Sequence, residues 1–320
     1  MLRLTRVCGA ALWAAVLAAV MLAIPLKTLA VRQIDKAALP LAGAWDITVQ
    51  TSKGNRYSWL EIEPSGATLV GRFVGMFGSA RPISKIEFSQ GTMRFTMPRQ
   101  YEDREFQFQG KMEGDHLAGT VTGYDSTPSR WIAQRAPALK RDHPPVWAAP
   151  LKLFDGSSMT AWRPQSSGSN WIVRDHLLVN TKSGANLLTL DNFEDFKLHV
   201  EFKCPKGSNS GIFLRGRYEV QIEDDEGPQL NVHSMGAIYG FFPPCVKMSK
   251  GPNGWQTFDI TLTGRVVTVV FNGERIIDRQ TIPGITGGAI DSDEGRPGPI
   301  LIQGDHGSVM FRNITITTAK

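Results

Sequence analysis

Short runs in which apolar and polar residues alternate, each closed by a Gly- or Pro-marked turn, fill this chain from Leu41 almost to its end. Successive side chains on a strand point to opposite faces, so alternation of this kind demands sheets with one face buried. No helix-period segment of useful length appears after Leu151. The chain is therefore read as all-β.

Its 320 residues exceed one average domain. Between 41 and 135 the alternating runs are Ala44–Thr51, Tyr57–Glu63, Thr68–Val74, Ile83–Phe88, Met93–Met97, Glu105–Gln109, His116–Thr122 and Arg130–Gln134. Regular turn spacing predicts a small meander barrel or sandwich there. Gly43-Ala44-Trp45 opens the first run and Arg135 closes the last, which resembles the Trp-and-Arg plug of lipocalin-like barrels, a guanidinium stacked on an indole. Residues 136–150, APALKRDHPPVWAAP, read as a semi-rigid linker, because their prolines forbid a regular ladder. From 151 to 320 the runs lengthen, among them Trp171–Val179 and Phe196–Phe202, and predict an antiparallel sandwich of the jelly-roll type with a grooved sheet. Asn272-Gly273 between two such runs signals a type I′ hairpin.

The first 30 residues read as an export leader. Arg3 and Arg6 precede the uncharged stretch Val7–Ile24, and Thr28-Leu29-Ala30 offers a cleavage site. The expected location is periplasmic or secreted, with membrane anchoring only through this segment if it stays uncleaved. Without the leader's three cations, 32 of the 35 basic residues remain against 30 acids, so the formal charge falls from +5 to +2. Scattered charge of that size is no nucleic-acid footprint. Cys204 and Cys245 remain beyond the leader, either as a disulfide or as two unrelated thiols. No Cys/His spacing suggests zinc, and no oxygen-ligand loop is diagnostic of calcium, although the fold type leaves a divalent cation open.

The stretch Asn209–Asp225, NSGIFLRGRYEVQIEDD, combines alternation with chemistry. It reads as two strands joined at Gly216. Gly211, Phe213 and Arg215 share one face, and Glu219, Gln221 and Glu223 share one face of the second strand. Two carboxylates, an amide and an arginine would then line one concave surface.

Blocks around this stretch follow a recognisable order: LFDG at Leu153–Gly156, Trp162, WIVRDHLLV, DFKLHVEFK, NSGIFLRG, YEVQIED, GAIYG at Gly236–Gly240, GWQTFDI and IQGDHGSVMFRNI. The series resembles the 3-keto-disaccharide hydrolase domain family and covers almost all of 151–318. The resemblance implies a concanavalin A-like jelly roll acting on oxidised sugars. Glu219, Gln221 and Asp224 match the family pattern. Glu223 is an extra acid, and Gly304 in QGDH is a departure that would bulge the chain and re-aim Asp305 and His306.

Two mechanisms fit the residues. Glu219-x-Gln221-x-Glu223 has the spacing of the acid strand in laminarinase-type glucanases, yet Gln replaces the central acid. The family-implied route uses a ketone that acidifies a neighbouring C–H, so that a base, an acid and an oxyanion partner suffice. For it, Glu219 is the expected base, His306 the acid or water activator, and Arg215 with Gln221 the oxyanion holder. Asn209, Gln221 and Asp305 are expected to bind substrate, and Tyr239 and Trp255 to stack on sugar rings. Plainer roles exist: Arg215 as a salt-bridge partner of Glu219, His306 as a turn residue, the tryptophans as core. The expected function is cleavage of 3-keto-glycosides or 3-keto-disaccharides. The alternatives are a non-catalytic carbohydrate-binding module and a conventional glucanase.

Overall fold

The computed structural model describes residues 34–224, 227 and 229–320. The expected leader at 1–30, and Asp225 at the end of the polar strand pair, lie outside them.

Strands Gly43–Thr51, Gly54–Ser65, Thr68–Val74, Arg81–Ser89, Thr92–Met97, Phe106–Glu113, His116–Thr122 and Ser129–Arg135 pair antiparallel in chain order, and the last closes on the first. Every run expected in this half is a strand of the closed barrel. Phe73, Phe95 and Phe108 fill its interior, the last two stacked 4.8 Å apart. The plug at its end forms as the motif predicts. The Trp45 indole N–H donates to the Leu41 carbonyl at 2.9 Å, and the Arg135 guanidinium lies 3.8 Å above the ring. Gly43 has a φ of 118°, and a Cβ there would stand 2.7 Å from Arg135 Nη1, so the motif requires glycine.

The second half is a two-sheet sandwich. One sheet orders its strands Trp162–Pro164, Leu187–Thr189, Leu301–Ile302, Asn209–Leu214 and Tyr218–Glu223. The other runs Trp171–Arg174, Leu177–Asn180, Val309–Thr318, Phe196–Lys203, Gln256–Thr263, Val266–Phe271 and Glu274–Thr281, with Leu151–Phe154 also on Val309–Thr318. Ile212, Leu214, Tyr218, Val220 and Ile222 of the first sheet share the core with Phe202, Phe258 and Phe311 of the second. The single strand expected over Trp171–Val179 is two. Asp175 and His176 adopt φ of 51° and 60°, which folds that stretch into a hairpin.

The linker is less free than its prolines suggest. Ala148 N–H donates to Thr318 O and Lys320 N–H to Val146 O, while Arg141 grips Asp195 at 2.6 Å and Glu194 at 2.7 Å. It is strapped along the sandwich. Cys204 and Cys245 are both free thiols, the first buried and the second exposed.

Barrel and sandwich meet through buried contacts. Trp59 of the barrel joins the sandwich core, edge-on to Phe241 at 5.5 Å, and Thr48 and Ser292 share a hydrogen bond of 2.7 Å. Asp46 of the barrel is buried beside Glu294, itself paired with Arg265. Burial first and Glu294 second hold the Asp46 carboxyl far above the carboxylate range. A carboxyl raised on folding gives its full contribution at acid pH and loses it as pH climbs toward the raised value. Asp46→Asn is therefore expected to flatten the fall of melting temperature between neutral and alkaline pH. Parallel melting curves for variant and wild type would count against this.

Candidate active site

The strand Tyr218–Glu223 stands at the edge of its sheet, and its ladder runs inward to Asn209–Leu214, Gly211 facing Gln221 and Phe213 facing Glu219. Its outer backbone groups are satisfied by the following loop. Tyr239 N–H donates to Glu219 O at 3.0 Å, Gly236 N–H to Gln221 O at 2.8 Å, and Gln221 N–H to Ala237 O at 3.0 Å. Thr286 Oγ1 accepts from Glu219 N–H at 3.0 Å. These bonds fix both the strand and the Tyr239 ring beside it.

Alternation then does what the sequence requires of it. The apolar face enters the core, and Asn209, Phe213, Glu219 and Gln221 line a cavity of about 640 Å3 between this sheet and the barrel. Gly211 makes the room: a Cβ there would fall on Glu219 Oε1 and lie 2.9 Å from its Cγ and Cδ. Glu219 is 4% exposed, and no hydrogen bond reaches its carboxylate among the described residues. Burial, then Asp305, then Glu223 push its pKa well above the ordinary carboxylate value. Beside it Gln221 Oε1 and Gln303 Oε1 are buried acceptors without a partner among the described residues. In a folded protein such atoms are uncommon and call for a ligand or water donor.

The loop Gly304–Gly307 forms the next wall. Asn180 Nδ2 donates to Gly304 O at 2.8 Å and Gly307 O at 2.7 Å, and Asn186 Oδ1 accepts from Gly304 N–H at 2.8 Å. Gly304 lies so flat on Ala185 O and the Trp171 indole that a Cβ would clash with both. Gly304 lets this loop dock and carry Asp305 and His306 to the cavity rim. His306 Nδ1 and Asp305 Oδ1 are 2.7 Å apart, and this bond raises the histidine's pKa. Both side chains are half exposed.

Of the expected site residues, Glu219, Gln221, Asn209, Tyr239, Asp305 and His306 line one cavity. Arg215 does not. It follows the last residue of its strand with a φ of 54°, and its fully buried guanidinium donates to Gly264 O at 2.8 Å and Tyr218 Oη at 3.1 Å. The alternation that would have placed it beside Glu219 ends at Leu214. Trp255 is also elsewhere, with the Arg312 guanidinium 4.0 Å over its ring. Glu223 accepts from Gln221 Nε2 at 3.3 Å but does not line the cavity, and Asp224 accepts from Gly207 N–H in a turn. Among the described residues no group of three or more His, Cys, Asp or Glu is arranged to hold a metal ion. Sequence reasoning missed the barrel's share of the lining, which includes Asn55, Arg56, Tyr57, Phe77 and Tyr101.

Residues 150–317 match the model of the 3-keto-alpha-glucoside-1,2-lyase-like domain. The chain belongs to that family. A protein of Bacteroides thetaiotaomicron named 3-keto-disaccharide hydrolase is 30% identical over 89 residues, 24% of this chain and 30% of the relative's length. A crystal structure from Parabacteroides distasonis, of a candidate glycosyl hydrolase, is 27% identical with a TM-score of 0.46, covering 55% of this chain and 92% of that one. A laminarinase from Flavobacterium sp. UMI-01 is 10% identical with a TM-score of 0.35, covering 55% and 100%. The family match falls on the sandwich alone, and the barrel lies outside it.

Proposed function

We propose that the chain cleaves 3-keto-glycosides, among them 3-keto-disaccharides, by elimination followed by hydration. The observation that carries this reading is the desolvated carboxyl of Glu219 beside two amide oxygens, all without a partner among the described residues, on a sugar-sized cavity. The ketone acidifies the adjoining C2–H. Glu219 takes that proton, the electron pair forms the C1=C2 bond, and the glycosidic oxygen leaves C1 with a proton from His306. Water then adds across the double bond, its hydroxyl to C1 and its proton to C2, giving net hydrolysis. A base of raised pKa is well matched to a carbon acid. With Arg215 committed to the core, amide N–H groups of Asn209 and Gln303 and the Tyr239 hydroxyl take over the enolate oxygen. The acceptors Gln221 Oε1 and Gln303 Oε1 receive sugar hydroxyls. The basic and apolar leader in the sequence supports work outside the cytoplasm.

Incubation with matched oxidised and unoxidised disaccharides tests the reading. Monosaccharide release from the oxidised sugar alone is expected. Release from both would favour the conventional glucanase, and release from neither would remove both enzymatic readings.

The pH profile offers a second check. Glu219 must be ionised and His306 protonated, so kcat/KM rises through the first pKa and falls through the second. Asp305 raises both pKa values. Asp305→Asn should therefore shift the acid and alkaline limbs together toward lower pH. Movement of one limb alone, or of neither, would contradict the assignment.

A further inference from the structure

The barrel lies outside the family match, yet it forms one side of the cavity that holds Glu219. Phe77 is 52% exposed and Tyr101 61% exposed. Single apolar residues on a surface mean little, but these two large rings open onto the same cavity. Tyr101 is also near enough to Tyr239, on the sandwich side, to help burial raise that phenol's pKa.

The wall is tied to the sandwich at several points. Ala80 N–H donates to Gly240 O at 3.2 Å, Gly288 N–H to Met76 O at 2.9 Å, and Ser79 Oγ lies 2.6 Å from His233 Nε2, whose ring stacks 4.9 Å from Tyr239. Gly240 and Gly287 leave room for this approach: a Cβ at Gly240 would stand 2.8 Å from Ser79 Cα, and one at Gly287 3.1 Å from Phe77 Cα. Gln100 Oε1 accepts from Ser79 N–H at 2.9 Å, joining the segment to the one that carries Tyr101.

We infer that the barrel supplies the second half of the substrate site, in which Phe77 and Tyr101 hold the group attached to the keto sugar. This rests on the proposed function, which places the keto sugar at Glu219. The occupant has one flat, largely apolar face: a second pyranose ring, or a planar aromatic aglycone. The C–H face of a pyranose and the face of an arene both pack on an aromatic ring with most of their polar edge left in water.

The test is the full-length Phe77→Ala/Tyr101→Ala double variant, assayed against three 3-keto-glucosides with methyl, glucosyl and nitrophenyl leaving groups. For the glucosyl and nitrophenyl substrates, kcat/KM should fall about tenfold further than for the methyl one, the size expected from losing two ring contacts. The loss should appear in KM, and Tyr101→Phe should restore much of it. A loss confined to one large substrate identifies which flat group the wall holds. An equal loss for all three, or none, overturns the inference. Titrating wild type and variant with unoxidised disaccharide and methyl glucoside reads the wall without chemistry. If wild type cleaves nothing, the proposed function fails, while a selective loss of disaccharide affinity still upholds the wall.

Discussion

Glu219→Gln is expected to lower kcat on a 3-keto-disaccharide by roughly 10²–10⁴-fold, the usual contribution of a positioned base. The change keeps the shape of the side chain and removes only its basicity. Because the Glu219 carboxylate holds no salt bridge or hydrogen bond among the described residues, the exchange breaks no contact that supports the fold. It also relieves the cost of burying an ionisable group. Affinity for an unreactive, unoxidised disaccharide should stay within a few-fold of wild type, measured by calorimetry beside single-turnover rates. Retention of more than about a tenth of the wild-type kcat would remove Glu219 from the base role. A protein that only binds sugars would show little change in either measurement.

Trp59→Ala should lower stability by about 3–5 kcal/mol, the range for deleting a large buried aromatic side chain. Trp59 is inaccessible to solvent, yet it belongs to a barrel strand and packs in the core of the sandwich. Phe241 meets it edge-on, and Gly284 is directly beneath the indole, where any Cβ would collide with it. Neither domain can refill the space without moving relative to the other, so little relaxation is available. Calorimetric melting should show a drop on the order of 10 °C. Trp59→Phe, which keeps an aromatic ring in the same space, should lose distinctly less. A loss below about 1 kcal/mol for Trp59→Ala would mean that the two domains are held together elsewhere. Activity should fall along with stability, because the cavity needs both walls in register.

The fold was readable where a local rule dictates the outcome. Period-two alternation located the barrel strands and the strand pair Asn209–Leu214 and Tyr218–Glu223, while Trp162–Pro164 of the same sheet is too short to show it, and Asn272-Gly273 turns with φ of 51° and 87° as its chemistry requires. The Trp45–Arg135 plug was readable because its two ends open and close the same domain. Alternation also carried Glu219 and Gln221 correctly into the cavity. It failed at Arg215, where the turn begins one residue before Gly216 and a distant acceptor, Gly264 O, draws the guanidinium inward. It failed again at Asp175-His176, where two residues other than glycine take positive φ inside an apparently continuous run. Phe77 and Tyr101 left no local signal at all. Their place depends on how one folded body packs against another, which no spacing within either body encodes.

The strand that bears Glu219 occupies the edge of its sheet, and that position has a consequence for how the protein behaves in a crowd. An open edge recruits other chains, because its unpaired N–H and C=O groups make a ready template for a foreign strand. Here the Gly236–Tyr239 segment takes up those groups, so the ribbon that carries the reactive carboxyl is also kept from adhering to its neighbours. Damage to that segment would do more than blunt turnover. It would convert the working strand into an adhesive one, and self-association would accompany the loss of activity.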